Sequence, residues 1–564
     1  MNISDKHLTN ILGVTLSLAL LSPLFFWPTF YLPFSSPTLL GFLFFVELSL
    51  PLFFFLAIKH ERPLAPFRQP IILAFSIFAS VLILASLVGV DPLNSFLGTA
   101  QRPVSVLVVL HGLLFVLALR ELFERDLRWR KHMTTLVIAM GTATAIHALG
   151  ERTLWPSFVS AEGRAASLLG NPVFLASFLI IPCFLSFARA ATLTKKARIT
   201  YVLAGILMLL GIFQSGTRGA FIGLISGGLM WACLWAMKKT VALKRRLGII
   251  LGMGGLVLAV VLIGWAMSPS SVFDRLQNVA DENVQSRLLY WSMAVEGWRD
   301  HPLLGVGPGN FYFLADQQFT LEDYEITSTW PDKPHNTFFE YLSTTGLLGC
   351  LAWLTLLAMM GRELWKRRQD PAAMVLLAGL TAYVVQGLFF FEGISDVILF
   401  FFLCAWLVPA VTPTTRNSSM PLVASSVGVI LLILGLTWYI LPLRTEVALA
   451  GQGKIPDGEI VIDDLLISRI ASTRAKESQT NQLEDVETAI TSYDFSLERH
   501  PLREAAWNDQ ALLYYMKALL LSQPVEPAGL AAAQQAIELA PGRREASYIL
   551  QLMTQHNESI TATP

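Results

Sequence analysis

The sequence predicts an all-α protein, a polytopic bundle of membrane helices with one long extracytoplasmic loop and a small helical domain after the last span. Three observations lead there. Hydrophobic residues fill 54% of the 564 positions and charged residues only 15%, against roughly 25% charged in an ordinary soluble domain. The apolar residues come in runs of membrane length, a bilayer core taking about 20 residues of helix. Over 443–564 the composition turns polar and rich in Ala, Glu and Gln.

About thirteen spans are expected (twelve to fourteen), near 11–30, 38–58, 70–90, 103–119, 133–149, 171–188, 199–215, 219–237, 247–267, 336–360, 371–391, 394–410 and 421–441. The first run, from Ile11, outlasts the apolar core of a signal peptide and lacks a small-residue cleavage site, so it is expected to stay as a membrane helix. The four cysteines all lie inside apolar runs without metal-ligand spacing, so neither a zinc site nor a disulfide framework is expected. Formal net charge is zero, which gives no polyanion signature and excludes a nucleic acid as the expected partner.

Lysine and arginine in the short loops set the orientation. Basic residues cluster at Lys59–Arg68, Arg120–Lys131, Arg189–Arg198, Lys238–Arg246 and Arg362–Arg368, and these loops alternate with loops poor in charge. The basic set is expected in the cytoplasm of a bacterium, which puts the N-terminus inside and, with an odd span count, the C-terminus in the periplasm. The chain divides into a transmembrane domain, 1–442, containing a long outer loop, 268–335, and a soluble domain, 443–564. In the loop, Leu288, Trp291, Val295 and Trp298 recur at steps of three and four, an amphipathic helix expected to lie against the membrane face. The turn-rich Gly305-Val306-Gly307-Pro308-Gly309 follows. In the last domain, Ala489-Ile490 to Pro501 resembles Ala531-Ala532 to Pro541, with the prolines 40 apart. The pattern predicts a small domain of helical hairpins resembling degenerate tetratricopeptide repeats, with unrelated amphipathic helices as the alternative.

Charges are scarce outside, so each is informative. Arg218 sits in the short turn Ser215-Gly216-Thr217-Arg218-Gly219, and Arg287 lies one turn before Trp291 on the loop helix. Arg164 and Arg102 occupy other outer segments. Guanidinium groups fork onto phosphate oxygens, so arginines gathered at the membrane surface suit a lipid-linked diphosphate; singly, each also fits a lipid-phosphate anchor. His335 precedes Asn336, a good N-cap for the tenth span. The partial positive charge of that helix start disfavours imidazolium, and a neutral imidazole can take a proton from a hydroxyl. Glu47 lies mid-span, where a carboxylate is costly, while Glu392 and Asp396 flank an outer turn. No Asp-x-Asp motif occurs on the cytoplasmic side, which argues against a nucleotide-sugar enzyme.

Several of these segments resemble the O-antigen ligase/polymerase superfamily, which includes bacterial O-linked oligosaccharyltransferases. The matching pieces are Ser215–Gly219, Ser286-Arg287-Leu288-Leu289-Tyr290-Trp291, His301-Pro302 to Asn310-Phe311, and His335-Asn336 followed by Gly346-Leu347-Leu348-Gly349. Gly163-Arg164 to Asn171-Pro172 is similar too, departing at Val173, where family members often carry a second Asn. The resemblance spans roughly 90–410. It implies a metal-independent glycosyltransferase without cofactor, using a glycan on undecaprenyl or another polyprenyl diphosphate. It also implies His335, Arg287 and Arg218 as the functional residues, with Arg164, Arg102, Trp291 and Asn336 as expected substrate-binding neighbours. The acceptor stays open among lipid A–core, a second lipid-linked glycan and a protein hydroxyl. A lipid-linked glycan transporter is the remoter alternative, and it fits less well because polar residues concentrate in one outer loop. The terminal repeats are expected to dock a protein partner and to be dispensable for chemistry.

Overall fold

The computed structural model describes residues 3–28, 30, 32–59, 69–99, 101–151, 153–154, 163–237, 248, 282–320, 323, 327, 331–409, 429, 464–478 and 482–561. All of its elements are helical. The bundle contains α1 (Ile3–Leu21), α2 (Ser35–Lys59), α3 (Pro70–Val88), the short α4 (Pro92–Leu97), α5 (Val106–Arg125), α6 (Leu127–Gly150), α7 (Pro172–Thr192), α8 (Lys195–Gln214) and α9 (Arg218–Ala236). The loop holds α10 (Glu282–Asp300) and α11 (Phe311–Gln318), after which the bundle resumes with α12 (Thr337–Lys366), α13 (Pro371–Gly387) and α14 (Ile394–Leu407). Among the described residues nine helices are long and apolar enough to cross a membrane, and α13 and α14 are shorter apolar helices. The expected spans 247–267 and 421–441 lie outside the described residues.

The loop helix forms where periodicity placed it, and it packs on the protein through a second stripe. Tyr290, Met293 and Ala294 pack against Phe311, Leu314, Ala315 and Phe319 in a small core of their own. Leu288, on the expected face, is 57% exposed. The cause is α11, which covers α10 from the other side. Trp291 and Trp298 instead use their indole N–H groups, donating to the carbonyls of Pro334 (3.1 Å) and Pro302 (3.2 Å).

The loop is stitched into α12. This helix breaks at Gly346 (φ 64°, ψ −168°), and a break strands carbonyls above and N–H groups below. Segment 302–307 satisfies both sets. Val306 and Gly307 donate to the carbonyls of Ser343 (3.3 Å) and Thr344 (2.8 Å), while Leu347 and Leu348 donate to those of Pro302 (2.8 Å) and Leu303 (3.2 Å). Both glycines at the crossing are required by space, since a Cβ on Gly305 or Gly346 would come within 2.3 Å of the opposing backbone. Asn310, fully buried, ties the same loop to the α3–α4 corner. Its amide donates to Asp91 O (3.2 Å), Ser95 Oγ (3.1 Å) and Val306 O (3.0 Å), and its Oδ1 accepts from Asn94 (2.8 Å).

After the bundle, α15 (Asp464–Glu477), α16 (Gln482–Arg499), α17 (Glu504–Leu521), α18 (Pro527–Leu539) and α19 (Arg544–Thr561) pack on one another in chain order. The similar stretches form similar turns: Arg503 N donates to His500 O (3.2 Å) across Pro501, and Arg543 N to Ala540 O (3.0 Å) across Pro541. This array rests on the end of the bundle that bears the loop. His500 Nδ1 lies 2.8 Å from Asp91 Oδ2. The Arg503 guanidinium carbon stands 3.4 Å from the Tyr312 ring centroid. A Cβ on Gly542 would come within 2.5 Å of Phe319 O.

Candidate active site

His335 takes its position from what surrounds it. Asn336 caps α12, its Oδ1 accepting from Phe338 N (2.9 Å) and Phe339 N (3.3 Å). Trp291 holds the preceding Pro334 through its carbonyl. Between these two anchors His335 adopts φ 52°, a left-handed conformation uncommon for a residue with a side chain and concentrated at functional positions. Its Nδ1 is 3.0 Å from Lys333 O. A carbonyl only accepts, so this contact assigns the proton to Nδ1 and leaves Nε2 as the basic nitrogen. Three rings flank the imidazole, Tyr290 at 5.7 Å, Phe390 at 5.5 Å and Phe391 at 5.3 Å. Burial lowers the imidazole pKa to about 4, with the charges of Arg287 and Arg102 pressing the same way and Asp332 opposing. Burial and the two guanidinium groups thus press in the same direction as the helix start anticipated from sequence.

The structure gathers the three residues singled out from sequence. Burial, then the charge of Arg218, pulls Arg287 below the ordinary arginine range, and Arg287 in turn acts on His335. Two like charges in mutual reach, with a neutral imidazole beside them, form a concentration of positive potential that an anion relieves. Arg218 opens α9, following the turn at Gly216 (φ 60°). Arg164 braces that turn: its Nε donates to Ser215 O (2.7 Å) and its terminal nitrogen to Thr217 Oγ1 (3.2 Å).

Arg102 stands 2.6 Å from Asp332 and 4.7 Å above the Phe391 ring, one of the rings that flank the imidazole. Burial raises the Asp332 pKa, but the ion pair with Arg102 outweighs it and the net shift is downward. Sequence reasoning passed over Asp332, Lys333 and Glu340. Lys333 and Glu340 form an ion pair seven residues apart across the start of α12. A carboxylate four residues into an apolar span was the available signal for Glu340, the same one that drew attention to Glu47.

Glu392 accepts from the Tyr341 hydroxyl (2.8 Å) and the Tyr383 hydroxyl (3.4 Å), and burial lifts it to about 7 despite those bonds. Asp396 caps α14, accepting from Gly393 N at 2.9 Å. Glu47 pairs with His111 (2.9 Å) between α2 and α5, inside the bundle, and His147 contacts Ser167 Oγ (3.1 Å).

Two cavities open beside this cluster. One, about 270 Å³, lies among Arg102, Lys333, Asn171, Phe174, Phe391 and Glu392. The other, about 420 Å³, lies between the loop and the terminal repeats. Arg102 and Lys333 line both, whereas Arg218, Arg287 and His335 line neither. The guanidinium–imidazole cluster therefore borders the open space through Arg102 and the Asp332-Lys333 segment.

No curated protein sequence matches the chain. Residues 203–354, which carry Arg218, Arg287 and His335, match the family model described as O-antigen ligase, so that this segment is similar to the O-antigen ligase/polymerase superfamily.

Proposed function

We propose that the protein transfers a glycan from a polyprenyl-diphosphate-linked donor to a hydroxyl acceptor at the periplasmic face of the bacterial inner membrane, as an O-antigen ligase does. The observation that carries this reading is the coupling of Arg218, Arg287 and His335, with His335 Nδ1 held by the Lys333 carbonyl. In the proposed step an acceptor oxygen attacks the anomeric carbon while its proton passes to His335 Nε2. The bond from that carbon to the diphosphate oxygen breaks, and the leaving group departs as an anion. Arg218 and Arg287 bind the diphosphate and stabilise the charge gathering on it, so the step needs no metal ion. Arg102, between the cluster and both cavities, guides the substrate inward. Arg164 and Asn336 hold Arg218 and His335 in place, and Trp291 fixes the loop to the histidine segment.

A lipid A–core acceptor makes the protein a ligase, and the same chemistry with a second lipid-linked glycan or a protein hydroxyl makes a polymerase or an O-oligosaccharyltransferase. The decisive experiment gives the purified full chain a polyprenyl-diphosphate glycan and each acceptor class in turn, and measures single-turnover transfer. His335→Asn is the informative variant because Asn tolerates the left-handed backbone. It should retain donor binding and lose about 10²–10⁴ in rate. Lost binding with an unchanged chemical step overturns the base assignment.

A further inference from the structure

The larger cavity has no part in the step just described. Its walls come from segments far apart in the chain: Asn94, Arg102, Tyr312 and Asp332-Lys333 on one side, Arg503, Glu504, Ala505 and Arg543 on the other. At about 420 Å³ it falls within the roughly 300–1,000 Å³ of small-ligand sites. Its ionic groups largely neutralise one another, Arg102 against Asp332 and Arg543 against Glu504. What remains is a weak field with a high density of hydrogen-bond donors and acceptors, including the Asn94 and Gln101 amides. That lining suits neither an apolar ligand nor a strong anion. It suits a polyhydroxyl ligand, whose every hydroxyl both donates and accepts.

The two repeats present equivalent residues to this space. Arg503 and Arg543 each stand two positions after their turn proline, and both line the cavity. Because Arg102 and Lys333 also line the second cavity, an extended ligand leaving the repeats would run along the segment that ends at His335.

We infer that this cavity is a glycan subsite, at which the terminal repeats and the loop together grip the oligosaccharide portion of a substrate. The inference rests on the glycan-transfer reading for its ligand, and it gives the repeats a share in substrate selection.

The probes are the oligosaccharide released by mild acid from the polyprenyl-diphosphate lipids of the producing cell and, in a separate arm, that released from its lipid A–core. Binding of each to the full chain in nanodiscs is measured by calorimetry. One of them should bind, and the arm that does so identifies donor or acceptor as the source. Ala505→Trp, which fills the cavity without removing a charge, and Arg503→Met, which keeps an unbranched side chain but removes the guanidinium donors, should each weaken binding at least tenfold. Gln551→Trp, on the exposed side of α19, should bind as wild type does. If Ala505→Trp fails to fold, Arg503→Met decides alone. Binding of neither oligosaccharide, binding that survives the cavity variants, or equal loss in Gln551→Trp overturns the subsite. Binding with the expected pattern in a protein that never transfers glycan leaves the subsite standing and refutes the enzymatic reading. Transfer by folded cavity variants with wild-type KM for both substrates does the reverse.

Discussion

The depressed pKa of His335 makes a quantitative claim about pH. A histidine of ordinary pKa near 6.5 is about 90% protonated at pH 5.5, and only about 10% of it could act as a base. With the pKa at about 4, about 3% is protonated at pH 5.5, so base competence is nearly complete. The measurement is kcat/KM for the lipid-linked donor between pH 4.5 and 8.5, because this parameter reports the free enzyme. It should stay flat from pH 8 down to about 5 and bend only below that. Bound diphosphate favours the imidazolium, so kcat at saturating donor should fall at a higher pH than kcat/KM does. Each low-pH sample is returned to pH 7.5 to show that activity recovers. A reversible, roughly tenfold loss of kcat/KM by pH 5.5, the behaviour of an unshifted imidazole, would refute the reasoning that burial and the flanking guanidiniums set the state of His335.

Arg218→Ala and Arg287→Ala should each cost transfer on the order of 10²–10³-fold, with Lys restoring little because it lacks the planar fork; near-normal transfer by a folded Arg287→Ala protein sinks the diphosphate assignment. Gly346→Ala places a Cβ 2.3 Å from Leu303 C at a positive φ, so the detergent-purified variant should be aggregated or have a much lower Tm, and an unchanged Tm would contradict the crossing. Gln551→Cys should react with a membrane-impermeant maleimide added to the periplasm of cells with an intact inner membrane; labelling only after that membrane is opened would reverse the proposed orientation.

How much of this was legible beforehand depended on the distance over which each interaction acts. The nine long apolar helices among the described residues were readable because each announces itself in one continuous run. Arg218, Arg287 and His335 drew attention because charges are rare in the loops expected outside and each stands beside a recognisable local feature. What their positions could not show is that they act on one another, with Arg102 pressing on the imidazole from a loop 233 positions away. The stripe of α10 that packs on α11 was not legible, because periodicity picked out Leu288, Trp291, Val295 and Trp298 and gave no sign that Tyr290, Met293 and Ala294 meet a second helix. The contact of Asp91 with His500 joins residues 409 positions apart, and no local pattern marks either partner. Gly305 and Gly346 each stood in a glycine-rich motif, yet only the fold shows that the two motifs are the halves of one crossing.

That crossing has a consequence for how the chain is made. While α12 enters the membrane, the carbonyls of Ser343 and Thr344 and the amides of Leu347 and Leu348 have no helical partner, and in hydrocarbon each such group costs several kcal/mol. Their partners lie in a segment synthesised about forty residues earlier, which on the proposed topology has crossed the bilayer by then. Insertion of this helix and seating of the loop are therefore one event. A chain whose loop is mistranslocated or misfolded would present a polar, half-finished span, the kind of defect that membrane quality-control proteases recognise. The bonds that stitch the loop to α12 would thus also serve as a checkpoint during biogenesis, admitting to the membrane mainly those molecules in which the loop has been seated.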